Sequence, residues 1–184
     1  MTLLRLFVAI DLPASIRETL SAVHADIPGA SWSKTANLHL TLKFLGDGID
    51  DGRVPGIVEA LGTVEGAPFE LALSGVGRFP PGDRQPARVL WAGLAAPPAL
   101  AELAADIEQA LVPLGFPAER RAFSPHLTLA RLKPEMPAAA VYRFLDRQAE
   151  LASEPFTVDG FALYSSVLAS QGATYSRLAR FSLE

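Results

Sequence analysis

Two short segments carry the same four residues, His-Leu-Thr-Leu, and this repeat constrains the fold more than any other feature of the chain. The first copy begins at His39 within segment 37–46, and the second begins at His126 within segment 124–132. The chain holds only three histidines, so two of them lie in these copies. A pair of matched segments predicts that one structural unit occurs twice rather than as a longer array.

The spacing around both copies extends the repeat well beyond four residues. Phe69 follows His39 by 30 residues, and Phe156 follows His126 by the same interval. Each histidine segment is preceded by an apolar segment, 4–10 or 88–94, and by a helical pattern. We therefore predict two β-α-β-α-β units, at about 4–78 and 88–165, with a closing strand at about 174–183.

Apolar periodicity divides both units into strands and helices. The predicted strands are 4–10, 37–45, 69–79, 88–94, 123–132 and 156–164, and the predicted helices are 13–25, 54–61, 97–111 and 137–151. Gly75 and Gly77 mark a bulge or a close approach of two chains. Strands backed by helices favour largely antiparallel sheets covered on one side. We expect an α+β fold, a single bilobal domain over 1–184, with pseudo-twofold symmetry and an active site in the groove between the lobes.

Composition narrows the class of protein. With 49% hydrophobic and 20% charged residues, the 184-residue chain has enough apolar material for a buried interior. A net charge of −4 argues against a protein that coats nucleic acid, although one RNA end needs only a local basic patch. The absence of cysteine excludes disulfides and thiol catalysis. No apolar run reaches the ~20 residues that span a bilayer, so we expect a cytoplasmic monomer without membrane contact.

Alternation along a strand predicts which side chains share a face. His39, Thr41 and Lys43 should point to one side, opposite the leucines between them. His126 and Thr128 should share a face in the same way. Each strand then presents an imidazole beside a hydroxyl, and two such strands across a groove would surround one small anion.

This set of groups suits cleavage of a phosphodiester without a metal. An imidazole exchanges protons near neutral pH, so one histidine can activate a nucleophile while the other protonates a leaving oxygen. Threonine hydroxyls and the guanidinium of Arg131 can bind phosphate oxygens. Arg131 lies at an odd offset from His126, so it reaches the same face only if the strand ends or bulges. Zinc usually takes three or four protein ligands, and no acidic residue recurs beside both histidines, so we expect no metal and no cofactor.

Other residues are weaker candidates for a functional role. A single His-x-Thr on a strand is usually structural, and only the matched pair favours a functional reading. The third histidine, His24, is expected at the surface or at a helix end. Among the aromatic residues, Trp32 and Phe79 could stack on a base, whereas Trp91 is expected in the core. Loop 79–86 is a candidate flap, and the charges of Arg84 and Arg88 are expected to be solvated.

These motifs resemble those of the two-histidine (2H) phosphoesterases, and most closely the RNA 2′,3′-cyclic phosphodiesterases, also known as 2′-5′ RNA ligases. The resemblance covers 5–10, 37–46, 89–91, 124–131, Phe156 and 163–165. Both His-x-Thr motifs match without departure, and the family's arginine after the second motif corresponds to Arg131.

The resemblance implies an enzyme, a bilobal phosphodiesterase that opens RNA 2′,3′-cyclic phosphates to 2′-phosphomonoesters without a metal. It implies that His39 is the proton donor and His126 the proton acceptor, with Thr41, Thr128 and Arg131 binding the phosphate. The residues alone do not order the two histidines, because the repeat makes them equivalent. Two alternatives remain open: a phosphodiesterase or reversible ligase acting on small cyclic nucleotides or 2′-5′ linkages, and a non-catalytic module that binds RNA ends.

Overall fold

A computed structural model describes residues 1–25, 27–170 and 172–184. Four α-helices lie in these ranges: α1 (Ala14–Ala22), α2 (Val54–Leu61), α3 (Pro98–Leu111) and α4 (Ala138–Arg147). The strands are β1 (Leu3–Asp11), β2 (Ala30–Trp32), β3 (His39–Asp50), β4 (Phe69–Phe79), β5 (Val89–Ala95), β6 (Leu127–Leu132), β7 (Phe156–Val158), β8 (Gly160–Ala169) and β9 (Gly172–Ser182). None of the helices in the described ranges is long and apolar enough to cross a membrane.

The strands form two antiparallel sheets with related topologies. The first has the order β3-β1-β8-β9, and the second has the order β2-β6-β5-β4-β7. In each sheet, the strand with the His-Leu-Thr-Leu motif pairs with the first strand of its own unit. That first strand pairs in turn with a strand from the other unit, β8 beside β1 and β4 beside β5. The predicted α+β fold with largely antiparallel sheets is therefore confirmed.

One predicted strand is in fact two. The expected strand over 156–164 is broken at Asp159 into β7, which pairs with β4 of the second sheet, and β8, which pairs with β1 of the first. Gly160 opens β8 where a side chain would not fit, because a Cβ there would lie 2.4 Å from the carbonyl oxygen of Phe181. The chain thus crosses between sheets at a residue without a side chain, and the apolar pattern continues through the crossing.

The boundaries of other elements also differ from the predictions. Strand β3 continues through Gly46 and Gly48 to Asp50, because both glycines adopt positive φ values (123° and 70°) within an irregular strand pair instead of a turn. Helix α1 ends at Ala22 and helix α4 at Arg147, both earlier than predicted. The short strand β2 was not predicted, since three residues carry too little periodicity.

Both sheets share one apolar core. Leu6, Val8 and Ile10 of β1 are buried in it together with residues of all four helices. On β2, the ring of Trp32 packs against Phe144 of α4 at 5.6 Å between centroids. Alternate residues of the sheets face away from this core, and these form the surface on which the motif residues lie.

Candidate active site

The two strands that carry the motifs bulge at equivalent places. In β3, Thr41 pairs with Ala9 and Lys43 pairs with Val8, so Leu42 is an additional residue. In β6, Thr128 pairs with Trp91 and Ala130 pairs with Leu90, so Leu129 is additional in the same way. A bulge of this kind shifts the alternation of side chains by one position. The two residues that follow each threonine are therefore both buried.

The first bulge turns Lys43 into the core, so the prediction that Lys43 shares the face of His39 is wrong. Lys43 is 4% exposed. Its ammonium group lies 2.5 Å from a carboxylate oxygen of Glu108 on α3 and 2.9 Å from the carbonyl oxygen of Pro117. Lys43 therefore joins β3 to the helical layer and is not available at the groove.

The second bulge returns Arg131 to the face of Thr128. Ala130 is fully buried, and Arg131 is exposed next to it. The strand irregularity that Arg131 needed in order to reach the motif face is thus present. Burial raises the pKa of Tyr175 on β9, and the charge of Arg131 opposes that rise. Tyr175 belongs to the first sheet and Arg131 to the second, so a charge on one sheet acts on a side chain of the other.

Both motif histidines are held by the same kind of hydrogen bond. The Nδ1 atom of His39 lies 2.6 Å from the carbonyl oxygen of Asn37, and Nδ1 of His126 lies 2.8 Å from that of Ser124. A carbonyl oxygen only accepts, so Nδ1 must donate in each case. In both rings, Nε2 is consequently the nitrogen that the backbone carbonyl leaves free. In the first motif, Nε2 of His39 lies 3.0 Å from the hydroxyl oxygen of Thr41.

The surroundings of His39 favour its neutral form. Its ring packs against Phe7 at 4.9 Å and meets the edge of Tyr175 at 5.2 Å. Burial lowers the pKa of His39 below its ordinary value. The hydrogen bond to Asn37 and the negative charge of Asp11 raise the pKa again, whereas the charge of Arg17 lowers it further. Asp11 pairs directly with His39 across β1 and β3.

His126 has a different aromatic neighbourhood. Phe79 meets its ring edge-on at 4.9 Å, and Phe79 also packs against Trp91 at 5.5 Å. Trp91 is only half-buried and pairs with Thr128, so the expectation of a core tryptophan is wrong. Its indole lies over Gly77, where an added Cβ would be 2.1 Å from the ring. Gly77 is thus the predicted close-approach glycine, and the register shift at Gly75 is the predicted bulge.

A short segment ahead of His39 connects the two sheets. The hydroxyl of Ser33 donates to the carbonyl oxygen of Thr128 at 2.9 Å, which ties this segment to the second motif. The side-chain amide of Asn37 donates to the carbonyl oxygen of Ala173 on β9 at 2.7 Å. Strands β3 and β6 themselves approach within 8 Å between Cα atoms. The segment 33–37 therefore fixes His39 relative to both lobes.

A cavity of about 540 Å³ opens beside His39, and no strand of the second sheet contributes to its described lining. Its walls include the aromatic rings of Phe7, Tyr164 and Tyr175, and its charged groups are Asp11, Arg17, Lys34 and Arg177. The hydroxyl of Tyr164 donates to Asp11, and the carboxylate also lies 3.7 Å from Arg17 and 3.5 Å from Arg177. Burial, followed by this hydrogen bond, raises the pKa of Tyr164 well above its ordinary value. The hydroxyl therefore stays protonated and acts as a donor.

Sequence reasoning missed Asp11, Tyr164 and Tyr175. The two tyrosines lie on β8 and β9, more than 120 residues from His39 along the chain, and only strand pairing brings them to it. The alternation of β1 could have placed Phe7 and Asp11 on the motif face once the pairing of β1 with β3 was known.

The remaining predictions for single residues have mixed outcomes. Trp32 packs between His24, at 4.7 Å, and the α4 helix, so it lies away from the groove. His24 is exposed as expected, and partial burial against its neighbours lowers its pKa. Arg84 and Arg88 are exposed. Arg78 holds the loop that follows β4 through the carbonyl oxygens of Pro80 and Gln85.

The described residues include no group of three or more His, Asp or Glu side chains arranged to hold a metal ion. The two motifs and Arg131 instead present two imidazoles, two hydroxyls and a guanidinium. Such groups can transfer protons and bind an oxyanion, which is the chemistry that a phosphoesterase uses.

Comparison with known proteins agrees with this class. The family model of the 2′-5′ RNA ligase superfamily matches residues 1–168. The chain is 36% identical over 185 residues to an RNA 2′,3′-cyclic phosphodiesterase of Archaeoglobus fulgidus, covering 97% of this chain and 99% of the relative. A relative of the same name from Geobacillus stearothermophilus is 34% identical over 96% of this chain, which spans 56% of that longer protein.

Solved structures show the same fold. A crystal structure of a Thermus thermophilus protein superimposes with a TM-score of 0.80 at 31% identity, covering 97% of each chain. Escherichia coli LigT in complex with 3′-AMP superimposes with a TM-score of 0.76 at 29% identity, covering 99% of each chain. The protein described here belongs to the 2′-5′ RNA ligase superfamily, and with it to the 2H phosphoesterases.

Proposed function

We propose that the protein hydrolyses RNA ends that carry a 2′,3′-cyclic phosphate, leaving a 2′-phosphomonoester, and that it does so without a metal. The observation that carries this proposal is the matched pair of histidines, each held at Nδ1 by the carbonyl oxygen two residues earlier. The relatives named RNA 2′,3′-cyclic phosphodiesterase support the choice of substrate.

The proposed reaction needs one proton acceptor and one proton donor. His126 takes a proton from water at Nε2, the water oxygen bonds to phosphorus, and the bond from phosphorus to the 3′ oxygen breaks. His39 donates the proton that the departing 3′ oxygen requires, and exchange with solvent restores both rings. Each transfer of this kind typically contributes roughly 10²–10⁴-fold to a rate.

The neighbouring groups have proposed roles in binding the phosphate. The hydroxyls of Thr41 and Thr128 donate to non-bridging oxygens, and Arg131 supplies a permanent positive charge with paired donors. Thr41 and Thr128 precede the two matched bulges, and the second bulge returns Arg131 to the face of Thr128. The negative charge that develops on the oxygens at the transition state strengthens these contacts.

The test replaces each motif histidine and compares it with the third. His39→Ala and His126→Ala should each remove nearly all hydrolysis of an RNA ending in a cyclic phosphate, while the fold stays intact by circular dichroism. His24→Ala is the matched control and should keep normal turnover, because His24 lies outside the groove. Chromatography should show a 2′-phosphate product. Normal turnover in either motif variant contradicts the proposal.

A second candidate is a mononucleotide substrate, which the complex of Escherichia coli LigT with 3′-AMP favours. The same residues would carry the chemistry, so histidine variants do not separate the two. The two candidates are separated by comparing kcat/KM for a cyclic mononucleotide with kcat/KM for an RNA that ends in the same base. Equal values favour the small substrate, and a higher value for RNA favours the first proposal.

A further inference from the structure

The cavity beside His39 is large enough for a nucleotide, and none of the three residues proposed to bind the phosphate lines it. Its volume of about 540 Å³ lies within the usual range of ligand pockets. Neither Thr41 nor any residue of the second motif contributes to its walls. The cavity therefore extends the groove away from the reacting phosphate, past the ring of His39.

The charge of the cavity is opposite in sign to that of the chain. Arg17, Lys34 and Arg177 carry three positive charges against the single carboxylate of Asp11, whereas the whole protein has a net charge of −4. Arg17 and Arg177 both flank Asp11, so one carboxylate is shared between two positive charges. In the described part of the chain, Lys34 forms no salt bridge within 4.0 Å. A negative group is thus the complementary ligand.

The position of His39 indicates which part of a substrate would enter. In the proposed reaction His39 serves the departing 3′ oxygen, so the ribose lies against His39, and its base and 5′ carbon extend past that ring. The rings of Tyr164 and Tyr175 offer flat surfaces for a sugar or base. The first anionic group beyond the ribose in RNA is the phosphodiester on its 5′ side.

We propose that this cavity binds the terminal nucleoside together with its 5′ phosphodiester, and that Lys34 and Arg177 recognise that second phosphate. The inference rests on the proposed function and deepens it. The substrate class is then an RNA end with at least one phosphate upstream of the cyclic one, because a nucleoside cyclic phosphate offers Lys34 and Arg177 no second phosphate to bind.

The experiment compares two small substrates that differ by one group. A nucleoside 2′,3′-cyclic phosphate and the same compound with a 5′-phosphate isolate the effect of the second phosphate. The wild-type protein should favour the 5′-phosphorylated compound by about tenfold or more in kcat/KM, mainly through KM, as expected for charge-assisted hydrogen bonds. The preference should decrease at high ionic strength, which screens exposed charges.

Variants then test the two residues. Lys34→Gln and Arg177→Gln should each bring the ratio of the two kcat/KM values towards one. Two matched controls carry the same changes outside the cavity and should keep the wild-type ratio: Lys133→Gln, at an exposed lysine, and Arg180→Gln, on the same strand as Arg177 but paired with Asp159. Equal turnover of both compounds by the wild-type protein overturns the inference, as does a ratio that both cavity variants leave unchanged.

A binding measurement keeps this inference separate from the proposed function. If no cyclic phosphate of any kind is hydrolysed, the proposed function fails. The dissociation constants of a nucleoside 2′-phosphate and a nucleoside 2′,5′-bisphosphate, measured by calorimetry, then decide the inference alone. Tighter binding of the bisphosphate that is lost in Lys34→Gln supports it, and equal binding of both compounds overturns it.

Discussion

The ammonium nitrogen of Lys43 lies 2.5 Å from a carboxylate oxygen of Glu108, and the pair joins the first motif strand to helix α3. The side chains are 2% and 14% exposed, so the pair is shielded from water. The bulge beyond Thr41 creates this contact by turning Lys43 inward. The bulge that shapes the motif face is therefore anchored from behind by an ion pair.

Replacing Lys43 alone should destabilise the protein strongly. Lys43→Met leaves the carboxylate of Glu108 buried without its partner, and breaking a buried pair in this way costs about 3–5 kcal/mol. Urea unfolding measures the loss. The double variant Lys43→Met with Glu108→Leu should recover most of the stability, since no isolated charge remains. Lys133→Met, at an exposed lysine, is the control, and a loss there as large as in Lys43→Met contradicts the explanation.

The indole of Trp91 occupies the space that a side chain at residue 77 would need. Gly77→Ala places a Cβ about 2.1 Å from the ring in the present geometry, so the indole must move. Overpacking of this kind costs roughly 1–3 kcal/mol, and displacing Trp91 also disturbs Thr128 beside it. We expect lower stability and lower kcat/KM together. Tryptophan fluorescence should report the displacement directly.

Gly56→Ala is the control for Gly77→Ala, because it makes the same change at a glycine with open space around it. Residue 56 lies inside helix α2, and an added Cβ would meet no atom within 4 Å. Gly56→Ala should therefore raise stability by roughly 1 kcal/mol through helix propensity, without a change in activity. If Gly77→Ala behaves like Gly56→Ala, the contact with Trp91 does not constrain the strand.

Arg131 tests whether the second bulge serves phosphate binding. Arg131→Gln should lower kcat/KM by roughly 10- to 150-fold, because hydrogen bonds to charged groups contribute about 1.5–3 kcal/mol. The kcat/KM of Arg131→Lys should lie between those of the wild type and Arg131→Gln, since lysine keeps the charge but loses the planar pair of donors. Lys133→Gln controls for loss of a nearby exposed charge. Full activity of Arg131→Gln excludes a role in binding the phosphate.

The shared face of His39 and Thr41 could be predicted from sequence because it needs only local alternation along β3. The strand predicted from residue 123 begins instead at Leu127, so His126 lies just before β6. His39 and Thr41 are two residues apart on the near side of a bulge, and so are His126 and Thr128. Beyond the bulge, the same alternation predicts the wrong face for Lys43. The additional residue in that strand is Leu42, an ordinary strand leucine, so no residue type marks the shift.

The cavity could not be predicted because its residues come from five separated segments. Asp11 reaches His39 through strand pairing, whereas Tyr164, Tyr175 and Arg177 arrive through β8 and β9. The predicted strand over 156–164 would have kept Tyr164 in the same strand as Phe156. The crossing at Asp159 places them in different sheets beside a close backbone contact at Gly160, and the apolar pattern reveals neither.

The charge of Asp11 offers a way to establish which histidine gives the proton. Asp11 favours the protonated form of His39, so Asp11→Asn should lower the pKa of His39. A donor must be protonated. At a pH above the pKa of the donor, its protonated fraction falls tenfold for each unit by which that pKa is lowered. If His39 is the donor, kcat/KM of Asp11→Asn should therefore be lower than that of the wild type on the alkaline side of the pH profile. On the acid side, the two should be equal.

The opposite assignment predicts the opposite pattern. If His39 is the acceptor, it must be unprotonated, so a lower pKa raises kcat/KM on the acid side and leaves the alkaline side unchanged. Removal of the positive charge in Arg17→Gln should raise the pKa of His39 and reverse the effect, because Arg17 lowers that pKa. Asp159→Asn, at a carboxylate that is paired with Arg180 and is not among the groups that shift the pKa of His39, is the control. Full pH profiles of the three variants against the wild type decide between a donor and an acceptor at His39, and the proposed mechanism requires the loss on the alkaline side.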